Sequence, residues 1–389
     1  MKYLKITGLL LFIGITVLTG CKDDDGGVAP PEPPPPVDSS WVNMPVKDLV
    51  KQVFPDGNVF FGVASHQRLM GTPTMDTVDA EFGYVTPAND FKQTYIHPVP
   101  DKWQWEKSDD WVEHCSENGQ IIRMHSPISP QCSKWVREDD RTPQELDTML
   151  HQYVTGLCER YNGQEGIVWM DVVNETIDKK TGEWFGPKPG VDRWENPWPL
   201  IGYDSSQSFI VPLYIKTAFS IANQKAPDVK QIINQHGKLE QVVWTRMKYL
   251  VEYLRNDYGL RVDGIGWQAH IDMGWEKEEG NLERLDEIVK WCHKNNLAFH
   301  ITEFNVWLKE GNEGKWQDQA NTFTAIISVL LDNSDNGVVG INFWQIRPQD
   351  TQHEDWDGCL FDKDLNPKPA LYAVRELINS YKSVVIPRK

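Results

Sequence analysis

Basic residues are scarce in this 389-residue chain, where 39 Lys and Arg face 56 Asp and Glu and leave a formal charge of −17. The few that exist are not clustered, and a surface without a basic patch cannot neutralise a phosphate backbone, so nucleic acid is excluded as a partner. On that balance a neutral or cation-decorated substrate is expected. Cysteine is equally thin. Apart from Cys21 the chain has Cys115, Cys132, Cys158, Cys292 and Cys359, an odd number with no C-x-x-C spacing. Mostly buried thiols are expected, with at most one or two disulfides and no metal site. The apolar run Ile6 to Leu18 is shorter than the roughly 20 residues a membrane span needs. Neither an internal repeat nor a second domain is visible.

The amino terminus instead has the form of an export signal. Lys2 and Lys5 precede the apolar run, and Leu18-Thr19-Gly20-Cys21 closes it with small residues ahead of a cysteine. This resembles a bacterial lipobox, which implies cleavage before Cys21 and lipid attachment to its sulfur. Lys22-Asp23-Asp24-Asp25 and the proline-rich stretch to Ser39 read as an extended polar tether, similar to that of surface-exported bacterial lipoproteins. The expected organisation is a signal over 1–20, a lipidated tether over 21–40 and one catalytic domain over 41–389. Such a protein is a monomer at the outer membrane, exposed at the cell surface and touching lipid only through its anchor.

Seventeen Trp are abundant, and their two common uses, stacking on sugar rings and packing a core, are left open by composition. From residue 59 onward short β-branched or aromatic runs alternate with long amphipathic stretches, the pattern of a parallel sheet. Eight runs are found: Val59 to Ala64, Glu81 to Thr86, Gln120 to His125, Ile167 to Asn174, Gln231 to Gln235, Val262 to Ala269, Leu297 to Glu303 and Val338 to Gln345. Between them lie candidate helices including Pro143 to Tyr161, Ser206 to Lys225, Leu239 to Tyr258, Asn281 to Asn295, Trp316 to Leu331 and Pro369 to Tyr381. Eight strands close a single (β/α)8 TIM barrel, whose chemistry gathers at the carboxyl ends of the strands. Those ends carry His125, Asn174-Glu175, Gln235-His236, Gln268 and His270, Glu303 and Trp344.

Glu175 ends the fourth strand and Glu303 the seventh, so the barrel sets them on opposite sides of its mouth. A lone glutamate at a strand end is commonly a salt bridge or a loop cap. A facing pair, each escorted by an amide or imidazole, is what hydrolysis of a glycosidic bond requires: one carboxyl protonates the leaving oxygen and the other meets positive charge at the anomeric carbon.

The motifs Asp171-Val172-Val173-Asn174-Glu175 and Ile301-Thr302-Glu303 resemble the acid/base and nucleophile motifs of glycoside hydrolase family 10, whose members are mostly retaining endo-β-1,4-xylanases. Gly264-Ile265-Gly266-Trp267-Gln268-Ala269-His270, Phe343-Trp344 and the segment Phe361 to Ala370 extend the likeness, which runs from about Phe60 to Tyr381. The resemblance implies that Glu303 attacks the anomeric carbon while Glu175 serves as acid and then base, with the carboxyls about 5 to 5.5 Å apart. It further implies that Asn174 binds the sugar 2-hydroxyl, that His270 holds Glu303, and that Gln268 lies near Glu175. Asn89, Lys92 and His125 would bind the sugar on the nonreducing side of the cut, and Trp344 would form a stacking wall. No cofactor or metal is implied, since two carboxylates and water suffice, and the partner is a xylan-type polysaccharide.

The likeness also has gaps. Ala88 stands where the family has a glutamate, Ser129 and Pro130 where it has a Trp-His pair, and Asn305 where it has an aspartate. Met170, Gln345 and Pro348 depart too. Catalytic carboxylates are kept while sugar-reading residues are changed, which implies retained chemistry on an altered substrate. The long loop from Thr176 to Tyr203 carries Trp184, Trp194 and Trp198; it either shapes the leaving-group side of the cleft, the favoured reading, or packs down on the barrel. Two other readings stay open here: a barrel glycosidase acting on a different β-glycan or at a chain end, and a noncatalytic glycan-capture lipoprotein.

Overall fold

Eight strands make up the barrel in the computed structural model, which describes residues 39–138, 141–187, 196–206 and 209–383. They are β1 (Val59–Ser65), β2 (Tyr84–Pro87), β3 (Ile121–Met124), β4 (Ile167–Asn174), β5 (Lys230–Gln235), β6 (Gly264–Trp267), β7 (Ala298–Trp307) and β8 (Val339–Phe343). Each pairs in parallel with its neighbours in chain order, and β8 pairs with both β7 and β1, closing the sheet into a barrel. Strands buried on both faces must be apolar almost throughout, and burial is complete along β2 and β8. Residues from Ser40 onward make one compact unit. Cys21, the expected signal and most of the tether lie outside the described residues.

The barrel interior is layered. Tyr84, Trp169, Ile232 and Ala298 form an apolar cluster separate from the main core. Room for these side chains comes from glycines on neighbouring strands. A Cβ on Gly340 would stand 2.1 Å from the His300 ring, and one on Gly266 would stand 2.6 Å from the Asn234 amide. Toward the carboxyl ends the filling turns polar, with Arg123, Asp171, Asn234 and Thr302 all buried.

The outer helices bury one stripe each against the sheet. Pro143–Tyr161 forms as expected, with Leu146, Leu150, Tyr153, Val154, Leu157 and Tyr161 at the helical period facing inward. Its amino end is closed reciprocally: the Glu145 amide donates to Thr142 Oγ1 at 3.3 Å and the Thr142 amide to the Glu145 carboxylate at 2.8 Å.

Several boundaries differ from expectation. The helix expected from Ser206 begins at Leu213, because Val211–Pro212 first pairs antiparallel with Tyr203–Asp204; a residue before proline is biased toward extended backbone. The helix expected to run to Tyr258 ends as an α-helix at Glu252 and finishes in a π-turn over Tyr253–Asp257. The second strand begins at Tyr84 and not Glu81, since Glu81 closes the helix Pro73–Glu81 and is held there by Arg375 at 2.5 Å. The helices Val46–Val53, Pro73–Glu81 and Glu106–Glu117 were not expected. All five domain cysteines are buried free thiols, so no disulfide forms among them.

Candidate active site

The two strands that carry the acidic residues are both irregular. The register of β4 against β5 slips between Asp171 and Val173, and that of β7 against β8 slips between Ile301 and Phe304. A bulge re-aims the side chains that follow it. In β7 it lets Thr302 stay in the barrel while Glu303 reaches the mouth. In β4 it leaves Asp171 inside and carries Asn174 and Glu175 to the rim. Glu175 then takes a left-handed backbone, φ 56°, with its amide donating to the Asn234 carbonyl at 3.0 Å. Such a conformation costs a side-chain-bearing residue about 1 kcal/mol or more, and strain of this kind concentrates where a side chain must be presented.

Glu303 is held by both carboxylate oxygens. Asn234 Nδ2 lies 3.2 Å from Oε1 and His270 Nε2 3.2 Å from Oε2, with His125 Nε2 at 3.7 Å. Behind His125 runs a fully buried network. His125 Nδ1 is 2.7 Å from Asp171, the Arg123 guanidinium pairs with the same carboxylate, and Arg123 also donates to the Thr302 carbonyl at 2.7 Å. Burial raises the Glu303 carboxyl, but His125 and His270 outweigh it and hold the group below the usual carboxylate range. The charge on Glu175 pushes the other way, which places the two carboxylates within electrostatic reach of each other. Glu303 is therefore ionised, the state that nucleophilic attack would require.

Glu175 has its own escorts. Asn174 Nδ2 and Gln268 Nε2 donate to Oε1 at 3.2 and 3.1 Å, and His236 Nδ1 lies 3.5 Å from Oε2. Gln268 also donates to Asn174 Oδ1 at 2.9 Å. Burial raises the Glu175 carboxyl, but the His236 contact, then Gln268 and Lys92, draw it down to about 2. Both carboxylates are thus ionised in the open cleft, and Glu175 must take up a proton before it can serve as an acid. A glycan laid across it expels water and competes with His236, and both changes raise the pKa. A His236→Gln variant is expected to move the alkaline limb of the kcat/KM profile upward by about one pH unit, since the partner that depresses the acid is gone. An unmoved or lowered limb would show that His236 does not set the protonation of Glu175.

A cleft of about 710 Å³ runs across the barrel mouth and takes in Glu175, Glu303, Asn174, Gln268, His270, His125, Lys92 and Trp344. Trp344 stands edge-on to His125 and His270, at 5.5 and 6.1 Å between ring centres. Asn89 does not reach the wall of the cleft. It accepts from Lys92 Nζ at 3.0 Å, and Gln131 accepts from the same ammonium at 3.2 Å. Ala88 is buried, while Ser129 and Gln131 line the cleft.

The loop after β4 takes both of the courses left open for it, its described tryptophans packing down while other residues reach the cleft. Trp198 is buried and its indole donates to the Ser129 carbonyl at 3.2 Å, while Trp184 lies under the Arg246 guanidinium and donates to the Ile210 carbonyl. Trp194 lies outside the described residues. Among its described residues this loop presents Lys179 and Phe185 to the cleft.

Sequence reasoning missed Asn234, Arg123, Asp171 and Gln131 as site residues, and passed over His236 after noting it at a strand end. A polar or charged residue inside a strand buried on both faces was the available signal for the first three.

A family profile, glycosyl hydrolase family 10, matches residues 48–377. The chain belongs to that family. Among its relatives, endo-1,4-β-xylanase B of Thermotoga neapolitana is 27% identical over 356 residues, covering 86% of this chain and 92% of the relative. Endo-1,4-β-xylanase A of Caldicellulosiruptor saccharolyticus is 29% identical over 329 residues, or 77% and 87%. The crystal structure of native xylanase 10B from Thermotoga maritima superposes with a TM-score of 0.74 at 25% identity, covering 87% of this chain and 99% of that one. Xylanase 10B from Thermotoga petrophila RKU-1 in complex with xylobiose gives the same TM-score and identity, with 87% and 98% covered.

Proposed function

We propose that this family 10 protein hydrolyses β-1,4-xylosidic bonds in xylan by double displacement. The observation that carries the reading is the pair Glu175 and Glu303, set on strands four and seven of one barrel, facing one cleft and held by separate hydrogen-bond networks. The relatives named above are xylanases, which supports xylan as the polymer. Loops after β2 and β3 flank the pair on one side and loops after β5 and β6 on the other, so a chain lying across the mouth has contacts on both sides of the scissile bond.

In the first step a Glu303 oxygen bonds to the anomeric carbon as the bond from that carbon to the leaving oxygen breaks. Glu175 gives its proton to the departing oxygen. In the second step Glu175 takes a proton from water, the resulting hydroxyl bonds to the anomeric carbon, and Glu303 leaves as a carboxylate. Two inversions give retention. Asn234 and His270 orient the attacking carboxylate, and Arg123, through Asp171, holds the His125 ring beside it.

The test is trapping with a 2-deoxy-2-fluoro-β-xyloside bearing a good leaving group, followed by peptide mapping. A covalent label on Glu303 is the expected result. A label elsewhere, or none with full activity retained, would overturn the assignment.

A further inference from the structure

Asn234 serves both acidic residues. Its backbone carbonyl accepts from the strained Glu175 amide at 3.0 Å, and its Nδ2 donates to Glu303 Oε1 at 3.2 Å. A side-chain amide has nearly the same shape whichever way it is turned, so its neighbours decide which end meets the nucleophile. An ionised carboxylate only accepts, and an amide oxygen placed against it would be repelled. The other end of the amide meets Thr302, whose Oγ1 lies 2.7 Å from Oδ1. Since Oδ1 has no hydrogen to give, the hydroxyl is the donor. The order runs from Thr302 to Asn234 to Glu303, each giving a hydrogen to the next.

This contact is built across a strand. Asn234 is on β5 and Thr302 on β7, with β6 between them. They meet at Gly266, where a Cβ would stand 2.6 Å from Asn234 Oδ1 and 2.7 Å from Thr302 Cγ2. A larger residue there would press against both partners. Thr302 is also pinned through its backbone, because its carbonyl accepts from Arg123 at 2.7 Å. Asn234 and Thr302 are both completely buried, so the bond between them is shielded from bulk water, where it is strong when made and costly when lost.

Building on the proposed reading of Glu303 as the nucleophile, we propose that Thr302 is a positioning residue for the reaction: its hydroxyl fixes the Asn234 amide with Nδ2 turned to Glu303, which holds the attacking carboxylate in one orientation. Thr302 does this through Asn234. Without the hydroxyl, Oδ1 is left buried with no donor and the amide is no longer held. A donor aimed at a carboxylate favours its charged form, so loosening that donor raises the pH at which Glu303 takes up a proton.

The experiment follows inactivation of the parent, Thr302→Val and Thr302→Ser against pH, using a 2-deoxy-2-fluoro-β-xyloside with a dinitrophenolate leaving group. That group departs without a proton, so the acid limb of the inactivation profile reports Glu303 and not Glu175. Thr302→Val is expected to move the limb upward by roughly half to one pH unit and to slow inactivation on the plateau by roughly three- to tenfold. Thr302→Ser, which keeps the hydroxyl, should follow the parent. In an Asn234→Ala background the valine substitution should change neither quantity further, because the residue it acts through is gone. An unmoved limb in Thr302→Val, a serine variant that behaves like the valine one, or an equal effect with and without Asn234 would overturn the positioning role while leaving Glu303 as nucleophile. Failure of the parent to be labelled at Glu303 would overturn the nucleophile reading, and this role with it. Should Thr302→Val not fold, Thr302→Ala removes the same hydroxyl and is judged by the same outcomes.

Discussion

A Glu175→Ala variant is expected to cleave an aryl β-xyloside with a good leaving group at nearly the parent rate in its first step, yet to lose roughly 10²- to 10⁴-fold on xylan, where the departing sugar oxygen needs a proton. A Glu303→Ala variant should lose roughly 10⁵- to 10⁶-fold on both substrates, because no leaving group compensates for a missing nucleophile. The geometry makes a second distinction. With azide present, the Glu175→Ala protein should yield the β-xylosyl azide, since azide attacks a glycosyl-enzyme already inverted once. The Glu303→Ala protein should yield the α-azide, since azide then enters the face that Glu303 occupied. Product anomers the other way round would exchange the two roles. These carboxylates stand on separate networks, Glu303 on Asn234, His270 and His125, Glu175 on Asn174, Gln268 and His236. Each substitution therefore leaves the hydrogen bonds around the other carboxylate in place.

The second large effect concerns stability. Arg123 and Asp171 are both completely buried and form an ion pair in the barrel interior. Replacing Arg123 with Met leaves the Asp171 carboxylate in an apolar surround with only His125 beside it, and is expected to cost roughly 3–5 kcal/mol. The sign of the pH dependence follows from Asp171. Burial raises its pKa, but Arg123 and then His125 pull it below its ordinary value. A depressed carboxylate contributes stability above its unfolded pKa that is lost as pH falls through the folded one. Without Arg123 that contribution disappears, so the deficit should be fullest near neutral pH and shrink toward acid, where Asp171 can fold protonated. Urea unfolding of parent and variant across pH 4 to 8, about the range over which a carboxylate titration is felt, measures it. A variant as stable as the parent at neutral pH, or a deficit that grows in acid, would show that the pair does not hold the barrel interior together.

How far the sequence alone carried the reading can be judged from particular elements. β4 and the helix Pro143–Tyr161 lie where periodicity and capping residues placed them, because both signals are local. The facing of Glu175 and Glu303 was legible for a related reason: counting strands is enough to place residues at the ends of strands four and seven, and a barrel does the rest. The bulges were not legible, since a bulge is a property of two paired strands and not of either alone. Asn234, Arg123 and Asp171 were hidden for the same cause. Each sits in an apolar run and acts across the barrel on a side chain far away in the chain. The charge balance says little of the site, because it is a sum over the whole surface, whereas a substrate responds to the few side chains around it.

Asn305 bears a consequence for proton counting. Its Nδ2 donates to the carbonyls of Trp344 and Gly358 at 2.9 and 3.2 Å, so the amide cannot be turned round, and its oxygen is committed to His270 Nδ1 at 3.0 Å. The imidazole is thereby obliged to spend one hydrogen on that oxygen, which leaves its Nε2 as the nitrogen turned toward Glu303. Through that ring Asn305 steers the carboxylate without touching it.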